Sequence, residues 1–299
     1  MDTKNFDKVS SKFLGQEGSY AVQTEIYDPN FLVPMPREDV RKSYGITGKE
    51  FVGYDVWHCH EATFLLNNGC PVAGTLKINY PSDSLYMVES KSFKLYLNSF
   101  DMCRLGETYE EGVERYEKTI ESHLSDILKC RISVQFYSSL HKEPVDYFKK
   151  YINLHELIGH SIWIDDYTGQ KNHLFFEESE EDHTYYLSTN VLRSRCRHTK
   201  QKDTGNAFIY IKTKKSELEI ESLFRQIVSL RMVNEFHEFC AEKLFYEIIS
   251  TGFVSECCVS LLYARRGSLD INPIRSTSVD ILPWKFIDVN ELSFKQLNQ

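Results

Sequence analysis

The chain has no apolar run of the about 18 residues that a membrane-spanning helix needs, and its opening Met1-Asp2-Thr3-Lys4-Asn5 lacks the apolar core of an export signal. A globular protein of the cytoplasm is expected. Its 8 cysteines form no CxxC pair, which argues against a four-cysteine zinc site and for reduced thiols, most of them packing residues. None of the 14 glycines falls into GxGxxG, or into GxxxxGK followed by Ser or Thr. Any dinucleotide must then be gripped by side chains rather than by a Rossmann or phosphate-binding loop. Lys and Arg (35) are outnumbered by Asp and Glu (43), and the net charge of −8 argues against nucleic-acid binding. With 299 residues, 41% of them hydrophobic, the chain has material for roughly two domains.

Metal ligands are poorly spaced. His155 and His160 stand five apart, about 140° on a helix, where a zinc-protease helix needs four. In His58-Cys59-His60 adjacent residues of a strand point oppositely, and the histidines read as strand surface. No metal is expected. The acidic run Glu177-Glu178-Ser179-Glu180-Glu181-Asp182 reads as a solvated loop.

Three of the 8 prolines (Pro29, Pro34 and Pro36) crowd into the first fifty residues, which read as an irregular arm. Beyond it the patterns sharpen. A strand is expected over Phe51 to Leu65. Val72 to Tyr80 alternates, with Leu76, Ile78 and Tyr80 on one face and Thr75, Lys77 and Asn79 on a wet one. Ser90 is placed to cap a helix reaching about Phe100, and Val113, Tyr116, Ile120, Leu124 and Ile127 stripe a second helix. Ile132, Val134 and Phe136 then alternate in a strand.

The order recurs later: a strand into Cys196, a strand at Ala207 to Thr213, a helix with Ile220, Leu223, Phe224, Ile227 and Leu230, a helix over Asn234 to Ser250, and a strand with Val259, Leu261 and Tyr263. The offset of about 130 residues reads as an internal repeat. Strands in pairs with helices in pairs favour an antiparallel sheet with helices on one face, so the fold class is α+β. Residues 1–140 form the arm and first module, 141–183 a connector with a short helix at Val145 to Leu154, and 184–299 the second module.

Four clusters carry chemistry. Cys196 sits among Arg193, Arg195, Arg197, His198 and Lys200, whose charge favours a thiolate, with Asp203 close behind as a proton donor. Read locally, a small half-buried strand residue in a basic patch is the simpler account. Glu89-Ser90-Lys91-Ser92-Phe93-Lys94 gathers a carboxylate, hydroxyls and lysines at a strand-to-helix junction, a natural anion site or simply a capped helix. Asn234-Glu235-Phe236-His237-Glu238 opens what is read as the corresponding helix of the second module, where Glu238 can grip paired N–H donors and His237 can relay protons. Arg265-Arg266-Gly267 offers guanidinium groups beside a glycine that lets a ligand approach.

In order and spacing these segments, with Leu95-Tyr96-Leu97-Asn98-Ser99-Phe100 and Ser268-Leu269-Asp270-Ile271-Asn272-Pro273, resemble the 7-cyano-7-deazaguanine reductases of queuosine biosynthesis in their two-module form. The resemblance implies two tandem tunnelling-fold modules, a homodimer, and reduction of a 7-deazapurine nitrile to the primary amine with two NADPH per turnover. By position, Cys196 matches the nucleophile that forms a thioimide and Asp203 the proton donor. Val88, Glu89, Ser90, His237 and Glu238 match substrate-binding positions, and Ser90, Lys91, Arg266 and Gly267 match NADPH-binding ones.

That mechanism asks for a protonated Asp203, hence a raised pKa. Where the family usually writes Gln-Pro-Asp and an aromatic residue, this chain has Gln201-Lys202-Asp203-Thr204, and the lysine works against such a rise. Two rivals share parts of the pattern. A thiol-dependent amidine-forming or hydrolytic nitrile enzyme keeps Cys196 and needs no reductant; a non-catalytic purine- or pterin-binding tunnelling-fold protein keeps the carboxylates and forms no adduct.

Overall fold

The structure, a computed structural model, describes residues 26–137, 147–159, 162–197 and 200–293. Strand β1 (Pro34–Pro36) leads into helix α1 (Arg37–Ser43). Glu38 and Asp39 in its first turn and Arg41 and Lys42 in its last suit the helix dipole. The arm is therefore less irregular than its prolines suggest, because Arg37 and Arg41 are drawn into the core by buried acids. The arm before residue 26 lies outside the described residues.

The first half continues with β2 (Val52–Leu65), β3 (Pro71–Pro81), β4 (Tyr86–Val88), α2 (Ser90–Asn98), α3 (Tyr109–Leu128) and β5 (Ser133–Tyr137). In α3 the Thr108 side chain caps the helix by accepting from Glu111 N, and Tyr116, Ile120, Leu124 and Leu128, one turn apart, form the buried stripe. Then come β6 (Ile152–Asn153), α4 (Leu154–Ile158) and β7 (Phe176–Glu178). The connector helix expected at Val145 to Leu154 is displaced: residues 147–153 are turn and strand, and Asn153, accepting from His155 N, starts the helix at Leu154. Val145 and Asp146 lie outside the described residues, as does His160.

The second half comprises β8 (Thr184–Arg195), β9 (Lys202–Thr213), β10 (Ser216–Leu218), α5 (Ile220–Ser229), α6 (His237–Ile249) and β11 (Val254–Tyr263), followed by β12 (Leu269–Ser276) and the short α7 (Trp284–Ile287). Glu177 and Glu178 pair with β10, so part of the acidic run expected as loop is strand.

Eight strands form one sheet in the order β5-β3-β2-β12-β11-β9-β8-β6, antiparallel except where β6 meets β8. The run β5-β3-β2 of the first half is matched by β11-β9-β8 of the second, each in reverse chain order, and β12 joins the halves by pairing with both β11 and β2. The α+β class and the antiparallel pairing agree with the periodicity. Helices α2, α3, α5 and α6 pack on one face over two clusters, one around Trp57, Phe93, Tyr116 and Leu124, the other around Ile209, Leu223, Phe245 and Val259. Each such side chain contributes roughly 1.5–3 kcal/mol when removed from water.

The opposite face of β3 is not wet. The segment from α7 to Ser293 lies over it, and fully buried Lys77 donates to Asp288 O (2.9 Å), Glu291 O (2.6 Å) and Ser293 Oγ (3.0 Å). Asn79 reaches Ile287 O at 2.5 Å. The histidines of β2 are likewise withdrawn from the surface, His58 buried and His60 half-buried: His58 Nδ1 and His60 Nε2 share the Asp270 carboxylate at 2.7 and 2.6 Å. Alternation assigned the faces correctly, but long-range covering decides which face meets water.

Candidate active site

The β8–β9 hairpin positions the cysteine. Strand β8 ends at Arg195, Ser194 lies opposite Asp203, and the turn is closed by Cys196 N donating to Gln201 O (2.8 Å) and Lys200 N donating to Cys196 O (3.0 Å). The approach to α6 is tied to this hairpin: Arg195 N donates to Val233 O (2.8 Å) and Glu235 N to Arg195 O (3.1 Å). Arg197 adds an ion pair with Glu235 at 3.1 Å, and Tyr44 donates to the other Glu235 oxygen at 3.0 Å. Cys196 is half-buried and outside any disulfide.

A cavity of about 260 Å³ opens here, lined by Val88, Glu89, Ser90, Lys91, Cys196, Asp203, His237, Glu238, Arg266 and Gly267. Every residue matched by position to a catalytic, substrate-binding or NADPH-binding role borders this one space. Its walls come from both halves: the β4–α2 junction, the hairpin, the start of α6, and the turn into β12. Trp57, Phe236, Leu269 and Ile271 supply apolar wall that the sequence reading did not assign, and Lys94, Arg197, Gln201 and Glu235 complete the lining.

The cations around Cys196 are redistributed. Arg197 borders the cavity, whereas Arg193, Arg195 and Lys200 do not. Strand alternation puts buried Ser194 on one face and its neighbouring arginines on the other. Arg195 Nε donates to Lys200 O (3.0 Å) and Lys200 Nζ to Arg197 O (2.9 Å), so both stiffen the turn. His198 lies outside the described residues.

Glu89, not Ser90, caps α2, its Oε2 accepting from Ser92 N at 2.7 Å. Its counterpart in the repeat is Glu219, the residue that precedes α5. Glu238 instead opens the second helix of its half, so the two cavity carboxylates occupy non-equivalent places in the repeat. Nothing side-chain-borne caps α6 at Phe236, which leaves the positive end of its dipole beside the cavity.

Asp203 is buried and gripped twice. Arg266 Nη1 donates to Oδ1, and His237 Nε2 stands 3.5 Å from Oδ2 while its ring stacks on Tyr263 at 3.7 Å. Burial alone would raise the Asp203 pKa, but His237 and then Arg266 outweigh it and hold the carboxyl below its ordinary value. The expected raised pKa is therefore not found. Arg266 also donates to Lys202 O (2.7 Å) and to the Gln201 side chain.

Glu238 behaves oppositely. Complete burial, followed by the charge of Asp55, pushes it up to about 7, against the pull of Arg37 and Arg275. Those groups belong to a buried network: Arg37 to Asp55 (2.5 Å), Arg275 to Asp55 (2.9 Å) and to Glu242 (2.9 Å), and Arg41 to Glu242 (2.8 Å). Glu242 lies one turn beyond Glu238 on α6, so the network fixes the helix that presents Glu238.

Gly267 has a left-handed φ of +64°, and a Cβ there would stand 2.6 Å from Lys94 Nζ. This close backbone approach beside Lys91, Lys94, Arg266 and the start of α2 forms a cationic cradle suited to a dinucleotide. Among the described residues no group of three His, Cys, Asp or Glu side chains is arranged to hold a metal, and no helix is long and apolar enough to cross a membrane.

The sequence model of the family described as nitrile reductase, 7-cyano-7-deazaguanine-reductase N-terminal part, matches residues 23–136. An NADPH-dependent 7-cyano-7-deazaguanine reductase of Coxiella burnetii (strain CbuK_Q154) is 34% identical over 282 residues, 93% of this chain and 95% of that protein. One of the same name from Colwellia psychrerythraea (strain 34H) is 32% identical over 286 residues, 94% of this chain and 96% of that protein. Identity at this level along nearly the whole length of both proteins means that the chain belongs to the family of NADPH-dependent 7-cyano-7-deazaguanine reductases.

Proposed function

We propose that this chain reduces the nitrile 7-cyano-7-deazaguanine to 7-aminomethyl-7-deazaguanine in the route to queuosine in tRNA, using two NADPH per turnover and a thioimide on Cys196. The observation that carries the reading is the convergence of Cys196, Asp203, Glu89, Glu238 and Arg266, from separate segments of both halves, on one cavity. Glu238 accepts the paired N–H donors of the pyrimidinone edge, which requires its ionised form. Val88, Glu89, Ser90 and His237 complete the contacts to the base, with Trp57 and Phe236 excluding water. Two tunnelling-fold modules, within 1–140 and 184–299, and a homodimer belong to the same proposal.

Adding a thiol across a nitrile conserves protons: the thiol loses one and the nitrile nitrogen gains one. An ionised Asp203 is thus the right starting state, since it takes the proton from Cys196 and hands it to the nitrogen. The thioimide is then a far better hydride acceptor than the nitrile, each reduction takes up one further proton from solvent, and the Cys196 thiolate is expelled between the two. Ser90, Lys91, Arg266 and Gly267 hold NADPH, which supplies the hydride when bound. His237, stacked on Tyr263, keeps Asp203 oriented through both reductions.

The test is NADPH oxidation by the purified chain, followed at 340 nm. Absorbance should fall only when 7-cyano-7-deazaguanine is added, with two NADPH consumed per amine formed. Nitrile consumption with no loss of NADPH would sink the reading.

A further inference from the structure

A second cleft of about 460 Å³ abuts the first and is lined by Gln201, Lys202, Thr204, Ala264, Arg265 and Arg266. Gln201 and Arg266 border both spaces, so the two adjoin at these residues. The cations of the main cavity are partly committed: Arg197 is paired to Glu235, and Arg266 to Asp203. Lys202 and Arg265 differ. Both are exposed, and among the described residues neither has an ion-pair partner. Their segments run side by side: Ala264 N donates to Thr204 O (2.7 Å), and the Arg266 side chain donates to Lys202 O (2.7 Å). Two cations with no acid to balance them, flanking a cleft beside a dinucleotide cradle, constitute an anion site.

On the reading given under Proposed function, we propose that Lys202 and Arg265 receive the phosphate on the adenosine ribose of the cofactor and so set the preference for NADPH over NADH. The two dinucleotides differ only in that phosphate, so discrimination has to come from cations that it alone reaches. Lys94 stands against Gly267, and Arg266, which lines the main cavity with them, also lines the second cleft with Arg265 and Lys202. A dinucleotide with its nicotinamide at Cys196 would run from the one space into the other.

The test compares wild type with Lys202→Gln, Arg265→Gln and the double variant. Calorimetry measures binding of adenosine 2′,5′-bisphosphate and of 5′-AMP, without nitrile, and kinetics give the ratio of kcat/KM for NADPH to that for NADH. Each single change should weaken the bisphosphate several-fold and the double change tenfold or more, with 5′-AMP far less affected. The kinetic ratio should fall in step, and Lys202→Arg should restore both readouts. Unaltered bisphosphate affinity and ratio in the double variant overturn the inference and leave the reductase reading standing. A wild type that oxidises neither dinucleotide in the presence of nitrile overturns both.

Discussion

Arg266 and Asp203 meet on the cavity wall, guanidinium to carboxylate, and after His237 this pair holds ionised the very carboxyl whose position in the sequence suggested a proton donor. The ionised form suits a relay, with the thiol as the source of the proton. Replacing Arg266 by Met should move the Asp203 pKa upward, and the acid limb of thioimide formation with it, measured without NADPH as rate against pH. The same pair contributes stability that is present above the ordinary carboxyl value of 3.8 and lost as pH falls through the lower folded value. Resistance to acid unfolding should therefore drop in the variant. An acid limb at the wild-type pH would contradict the relay.

Glu238 carries the opposite linkage. Its folded pKa, about 7, lies above the ordinary 4.5, so the associated stability is complete below the ordinary value and is lost as pH rises through the folded one. Glu238→Gln should thus raise Tm at pH 8 by a few degrees and make little difference at pH 4, while weakening the nitrile tenfold or more. In the wild type KM for the nitrile should climb as pH falls below about 7. A Tm difference that does not change with pH would remove this account of Glu238.

Arg275 lies at the centre of the buried network, donating to both Asp55 and Glu242. Arg275→Met leaves both acids short of a cation, and breaking a buried pair in this way costs about 3–5 kcal/mol. Urea denaturation should show that loss. Because Glu242 shares a helix with Glu238, variants that still fold should also bind the nitrile less tightly.

Gly267 tests the cradle. A side chain at φ +64° costs about 1–2 kcal/mol and would press on Lys94. In Gly267→Ala the KM for NADPH should rise, with nitrile affinity close to that of the wild type. Equal losses for both ligands would argue against a cradle for the dinucleotide.

Most of the fold was legible because its signals are local: the Tyr116-Ile120-Leu124 stripe, the alternation of Leu76, Ile78 and Tyr80, and the recurrence of the element order in the second half. What could not be read depends on contacts distant in sequence. Lys77 looks solvated until Asp288, Glu291 and Ser293, more than two hundred residues on, close over it. The same holds at the site. The polar motif residues announced themselves by type, but Trp57, and Leu269 and Ile271 within the last motif, are apolar strand residues whose part in the wall follows only from β12 pairing with β2. The lowering of the Asp203 pKa that Lys202 suggests in the sequence has a different source, for a related reason. Lys202 was weighed as its sequence neighbour, while Arg266 and His237, from other elements, set the pKa. The Asp270 pairing of His58 and His60 needed β12 as well.

The central claim is a covalent bond from Cys196 to the nitrile carbon, and intact-mass measurement of the protein with 7-cyano-7-deazaguanine, in the absence of NADPH, tests it most directly. The mass should increase by that of the whole ligand, since addition expels nothing, and the increase should vanish in Cys196→Ala. A wild-type protein that stays unmodified at saturating nitrile, or an adduct that persists in the Ala variant, contradicts the account.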